Sequence, residues 1–221
     1  VEETTPQLIK TTNSNQHDII RDIQRLYVPE GFELDPTYSK GKFYEKPGVI
    51  TPTHKYDLYP QRPDVLKATA EDLPFDDASI NSIMFDPPFM AGYTKAKPTG
   101  VMGERFHGFR YVTEMWEWYD ACLAEFSRIL KPGGILTFKC QDTVSGGKNW
   151  FSHSYVMNCA IEKGFYPRDM FVLVAKNRMI GHNHANQKHA RKFHSYFWVF
   201  EKEKEGRQKI NYNLRHESDK T

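Results

Sequence analysis

The sequence has few cysteines, three in 221 residues (Cys122, Cys140 and Cys159), and none of them forms a Cys-x-x-Cys pair. An odd number without that spacing argues against a disulfide scaffold or a cysteine zinc site, and predicts free thiols in a reducing, cytoplasmic setting. No apolar run approaches the roughly 18–20 residues of a membrane span, so no membrane association is expected. The first sixteen residues are polar and begin acidic, which is not the pattern of a signal peptide. There is no internal repeat and no low-complexity block. An excess of one charge is missing too: 30 Lys and Arg face 28 Asp and Glu, a net +2, so only the distribution of charge can speak for a nucleic-acid partner. What is present, 39% hydrophobic and 14% aromatic residues, is enough for one sizeable folded domain.

Residues 1–15 read as a mobile segment, 16–202 as a single domain, and 203–221 as a charged, frayed tail. Ile19, Ile20, Ile23 and Leu26 form a helical stripe over 16–27 that stops at Val28-Pro29-Glu30-Gly31. Short strands are predicted at 32–34, 49–56, 64–68 and 80–85. After a long loop, 90–112, a second helix is expected with Thr113 as its cap and Trp116, Tyr119, Leu123, Phe126 and Leu130 on its apolar face. Lys131-Pro132-Gly133-Gly134 should end it. A strand at 135–140, a helix at 150–163 closed by Gly164, and two late strands at 171–175 and 195–201 complete the pattern. Alternating strands and helices predict an α/β fold: an open, mostly parallel sheet with helices on both faces and an antiparallel pair at one edge. In such sheets ligands bind beyond the carboxyl ends of the strands. Asp35, Asp57, Asp86 and Gln141-Asp142 all fall at predicted strand ends.

Asp86-Pro87-Pro88-Phe89 directly follows an apolar strand. An exocyclic amine on a base is a poor nucleophile because its lone pair is delocalised into the ring. A carboxylate and a rigidly held main-chain carbonyl can each accept one of its N–H groups, favour a pyramidal nitrogen and aim the lone pair. Two prolines would fix the carbonyl, and an aromatic side chain would stack on an extruded base. In these residues the sequence resembles the S-adenosylmethionine-dependent amino-methyltransferases, whose signature is (Asp/Asn/Ser)-Pro-Pro-(Tyr/Phe/Trp). The resemblance implies a Rossmann-like class I methyltransferase fold with a mostly parallel seven-stranded sheet and an antiparallel edge strand. Asp86, Pro87, Pro88 and Phe89 would be the catalytic motif, with the amine held by Asp86 and the Pro87 carbonyl.

Asp35-Pro36-Thr37-Tyr38-Ser39-Lys40-Gly41 resembles the family's cofactor turn, Asp-Pro-Phe-x-Gly-x-Gly. Gly41 is kept, Thr37 stands for the Phe and Ser39 for the first Gly. Asp57 follows Asp35 by 22 residues, near the spacing of a ribose-binding acid. The family often has an acid for the cofactor's adenine after the third strand; here Thr69 and Ala70 occupy that place. The resemblance therefore implies S-adenosylmethionine as cofactor, held by Asp35, Thr37, Gly41, Asp57, Thr69 and Ala70, and no metal.

The same signature serves adenine N6, cytosine N4 and other amines, and Asp in its first position leans towards adenine. Residues 176–194 hold five Lys or Arg, four His and no acid, a composition suited to phosphates. Lys188, Arg191 and Lys192 are the candidate contacts. His182, His184 and His189 could also bind a metal, but no carboxylate or cysteine stands near them in sequence. In the loop 90–112, Tyr93, Phe106 and Arg110 offer aromatic and basic surface to an unpaired base, and Gln141 and Asp142 are expected to border the target pocket. No segment has the size of a separate target-recognition domain. The reading is a DNA amino-methyltransferase acting as monomer or homodimer. An RNA base methyltransferase, and a non-catalytic nucleic-acid-binding protein on the same fold, remain alternatives.

Overall fold

The structure is a computed structural model and describes residues 8–89, 91, 109–176 and 188–204. The strands are β1 (Thr12–Asn13), β2 (Leu34–Asp35), β3 (His54–Asp57), β4 (Leu66–Lys67), β5 (Ile80–Phe85), β6 (Leu130–Cys140), β7 (Thr143–Ser145), β8 (Lys148–Trp150), β9 (Phe165–Val174) and β10 (His194–Lys202). The helices are α1 (Gln16–Tyr27), α2 (Val112–Ile129) and α3 (Ser152–Glu162), with one 3-10 turn at Lys42–Tyr44. Eight strands form one sheet in the order β1-β9-β10-β6-β5-β2-β3-β4, while β7 and β8 make a separate hairpin. Strands β2 to β6 pair in parallel.

Two sheet expectations are corrected. The main sheet has eight strands rather than seven, because Thr12–Asn13, inside the segment read as lying outside the domain, pairs in parallel with β9. The antiparallel strand is not at the edge: β10 is inserted between β6 and β9, antiparallel to both. Its alternation of buried Ser195, Phe197 and Val199 with half-exposed neighbours suits a strand paired on both sides.

Helices cover both faces. Ile19, Ile20 and Ile23 of α1 pack with Met84, Ile135, Phe171, Phe197 and Val199 on one face. On the other, α2 and α3 pack against Ile83, Phe85, Leu136, Phe138 and Cys140. The period of two along β6 thus divides Ile135, Thr137 and Lys139 from Leu136, Phe138 and Cys140. Helix α2 begins at Val112, not after a Thr113 cap; Thr113 is exposed, and Glu114 Oε2 instead accepts the backbone N–H groups of Arg110 (3.0 Å) and Tyr111 (3.2 Å). Lys131-Pro132-Gly133-Gly134 lies within β6 rather than before it. Gly133 takes φ +83°, and the β5–β6 pairing shifts register between Ile80 and Ser82 at that point.

The strand order reverses direction between β2 and β5, the place where α/β sheets open a ligand crevice. Asp35, Asp57, Asp86, Gln141 and Asp142 all stand at carboxyl ends on that edge, as the sequence pattern predicts.

Candidate active site

A cavity of about 240 Å³ opens at this edge. Its walls come from the turn after β2 (Pro36, Thr37, Ser39), the end of β3 (Asp57, Leu58, Tyr59), the segment after β4 (Thr69, Ala70, Glu71), the motif after β5 (Asp86, Pro88), and Phe109 with Trp118. Thr37, Asp57, Thr69, Ala70, Asp86 and Pro88, six of the candidate residues, therefore share one cavity.

The first turn is held by its own polar groups. Ser39 adopts φ +50° and Gly41 φ +71°, so the serine standing for a glycine keeps a left-handed backbone. A Cβ on Gly41 would lie 2.5 Å from the Tyr38 ring, which is itself stacked on Tyr44 at 5.5 Å. The Ser39 N–H donates to Asp57 Oδ2 and the Tyr59 N–H to Asp57 Oδ1, both at 2.8 Å. One carboxylate thus binds two turns together on the cavity wall.

Asp35 and Gly41, expected at the cofactor turn, do not themselves line the cavity. Asp35 is 1% exposed. It accepts from the Tyr44 hydroxyl (2.8 Å), the Thr37 N–H (2.8 Å) and the Thr37 hydroxyl (3.1 Å). Burial pushes its carboxyl up to about 7, more than these hydrogen bonds pull it down. The Thr37 oxygen in turn accepts the Asp86 N–H at 2.9 Å. Thr37, standing where the resembled motif has Phe, therefore ties the first turn to the Asp-Pro-Pro-Phe segment.

That segment is also fixed from the α2 side. The Tyr119 hydroxyl donates to the Pro88 carbonyl at 2.6 Å. Full burial pushes this phenol well above its ordinary range and keeps it a donor. Among the described residues no hydrogen bond goes to the Pro87 carbonyl. Asp86 lies with its Oδ1 3.1 Å from Lys139 Nζ. The pairing of Phe85 with Phe138 places the next residue of each strand, Asp86 and Lys139, side by side on the α1 face. Phe89 is half-buried, with its ring 5.8 Å from the same ammonium.

Sequence reasoning missed Glu71, Trp118 and Lys139. Glu71 Oε2 accepts from Trp118 Nε1 (2.6 Å) and from the Thr69 hydroxyl, so an acid does stand on the wall after β4, two residues beyond the expected position. Glu-Asp at 71–72 carried that signal. Trp118 was legible only as a helix residue.

The side chains of Gln141 and Asp142 turn elsewhere. Neither lines the cavity, and both are 4% exposed. Asp142 binds His153 Nδ1 at 2.8 Å and the Tyr196 hydroxyl at 3.2 Å. Burial alone would raise its carboxyl, but the hydrogen bonds from His153 outweigh it and hold the group below its ordinary value. Gln141 Nε2 donates to the Lys192 carbonyl at 3.5 Å. Lys188 and Arg191 are exposed, and Lys192 lies 5.8 Å over the ring of Phe151. His189 Nδ1 meets Asn149 of β8 at 3.1 Å, so this basic segment flanks the β7–β8 hairpin. Arg110 is exposed over Tyr111 and is not part of the cavity wall. Tyr93, Phe106, His182 and His184 lie outside the described residues. Among the described residues no group of His, Cys, Asp or Glu could hold a metal ion, and no helix is long and apolar enough to cross a membrane.

The doubly wound sheet thus carries an acid-Pro-Pro-aromatic segment at its crevice. Residues 80–221 match the N6/N4 DNA methylase family, and the chain belongs to it. Among solved structures, a candidate DNA modification methylase of Thermus thermophilus is 16% identical over 73% of this chain and 59% of its own, at a TM-score of 0.44. This chain thus corresponds to less than two thirds of that protein's length. The same Thermus protein complexed with S-adenosyl-L-methionine gives 18% identity over 64% of this chain and 55% of its own, at a TM-score of 0.41. A SAM-dependent methyltransferase of Thermotoga maritima gives 17% identity over 85% and 89%, at 0.44. No similar sequence was found among curated proteins.

Proposed function

We propose that the chain transfers a methyl group from S-adenosylmethionine to an exocyclic amine of a DNA base, adenine N6 in particular. The observation that carries this reading is the setting of Asp86. Its carboxylate stands on the cavity wall at the end of β5, with its N–H fixed by Thr37 and the following Pro88 carbonyl fixed by Tyr119.

The cavity suits the cofactor: a polar turn and two carboxylates, Asp57 and Glu71, stand beside apolar Leu58, Ala70 and Trp118. Asp57 would accept the ribose hydroxyls, Glu71 the adenine amine, and the Thr37–Ser39 turn would meet the methionine end. Bound there, S-adenosylmethionine supplies an electrophilic methyl group. Asp86 accepts one N–H of the target amine and the Pro87 carbonyl the other, which directs the nitrogen lone pair into the cavity. Phe89 stacks on the extruded base. Exposed Lys188 and Arg191, on either side of His189, which meets Asn149 of the hairpin, would meet phosphates.

The test is incubation of the protein with radiolabelled S-adenosylmethionine and either unmethylated DNA or total RNA, followed by digestion and identification of the labelled nucleoside. N6-methyladenine from DNA is expected. N4-methylcytosine would move the target to cytosine; label in RNA alone, or in neither, would overturn the reading.

A further inference from the structure

Lys139 is a buried cation on a strand whose neighbours on both faces are mostly apolar. It is 7% exposed and shares the α1 face of β6 with Ile135 and Thr137. Three aromatic rings surround its ammonium, Phe43 at 4.8 Å, Phe197 at 5.5 Å and Phe89 at 5.8 Å. A charge in such a place is costly unless an opposite charge meets it. The partner is Asp86 Oδ1, at 3.1 Å. That oxygen is out of solvent and accepts no hydrogen bond among the described residues, so this contact is ionic without hydrogen-bond geometry. The Asp86 side chain as a whole is nevertheless 25% exposed and reaches the cavity. Its Oδ1 thus lies out of solvent against Lys139, while the exposed part of the residue stands on the cavity wall.

We propose that Lys139 is a positioning residue for methyl transfer, pinning Asp86 Oδ1 so that Oδ2 is presented to the target amine. The proposal rests on the amine-methylating reading of the site. Because the same ammonium lies against Phe89, it also connects the acid that holds the amine with the ring that stacks on the base. An ordinary stabilising ion pair would have no reason to discriminate between turnover and binding, and the test uses that difference.

Lys139→Met, Lys139→Arg, Asp86→Asn and the Asp86→Asn/Lys139→Met double variant would be made in the full chain. For Lys139→Met, kcat should fall on the order of 100-fold, as when one preorganised electrostatic partner is removed, with KM for DNA and cofactor affinity by calorimetry within about threefold. Lys139→Arg should recover most of the loss. In thermal melts the double variant should lose less than the two single variants combined, because neither charge is left alone. This second readout needs no substrate. If the wild type methylates no DNA, the proposed function fails while the melts still decide the pairing. Near-normal kcat in Lys139→Met, or additive losses in the melts, would overturn the proposal.

Discussion

Asp35 shows how a residue at the expected position can act one step away from the expected role. It stands at the end of β2, yet it is buried, and its contact with the site runs through Thr37 to the Asp86 N–H. An unfolded aspartate titrates near 4. In the fold, burial carries this carboxyl up to about 7 against the pull of Tyr44 and Thr37. The stability contributed by its proton is therefore fully present below about pH 4 and is lost as pH rises through about 7. Asp35→Asn cannot ionise, so its stability relative to wild type should improve as pH rises towards about 7 and level off above it. Urea midpoints at several pH values would show this; parallel curves would mean that Asp35 is ionised throughout. Lys139 teaches a related lesson. A lysine in a strand reads as a solvent-facing residue, and only the Phe85–Phe138 register places it beside Asp86. Sequence period gives the face of a residue but not its cross-strand partner.

The turn after β2 forms one wall of the cavity, and in the proposed function it would meet the cofactor. Gly41 needs φ +71° and has the Tyr38 ring where a Cβ would go. Gly41→Ala should cost about 1–3 kcal/mol, from strain and from moving a stacked ring. It should also weaken S-adenosylmethionine by tenfold or more in calorimetry; unchanged affinity would separate the turn from the cofactor site. The basic segment before β10 makes a different prediction. If Lys188, Arg191 and Lys192 meet phosphates, replacing all three by Ala should weaken every DNA sequence alike. It should also reduce the slope of log K against log salt by about 0.9 per lost contact, leaving cofactor affinity unchanged. An unchanged slope would assign the segment to solvent. Helix α2 shows what was legible at this scale. Of the predicted stripe, Tyr119, Leu123 and Phe126 are fully buried, Trp116 is half-buried, and Leu130 begins β6 instead of belonging to the helix. Its cap was not readable, because Glu114 reaches back from the third helical position and outcompetes Thr113.

Across the whole molecule, the edge that holds the cavity was readable before the sheet was. Apolar strands that stop at an acid mark carboxyl ends, and the fold brings those ends together. The pairing order was less readable: neither the interior place of β10 nor the pairing of Thr12–Asn13 with β9 has a local signal, since both are set by which strand lies alongside. The resulting site has two parts. In the proposed function the turns after β2, β3 and β4 would hold the cofactor, and the segment after β5 the amine. A single substitution should separate them. The decisive measurement is single-turnover methyl transfer to DNA by Asp86→Ala, alongside calorimetry of S-adenosylmethionine binding. The account predicts a rate lower on the order of 1,000-fold with cofactor affinity within about tenfold. Near-normal transfer by that variant would contradict it.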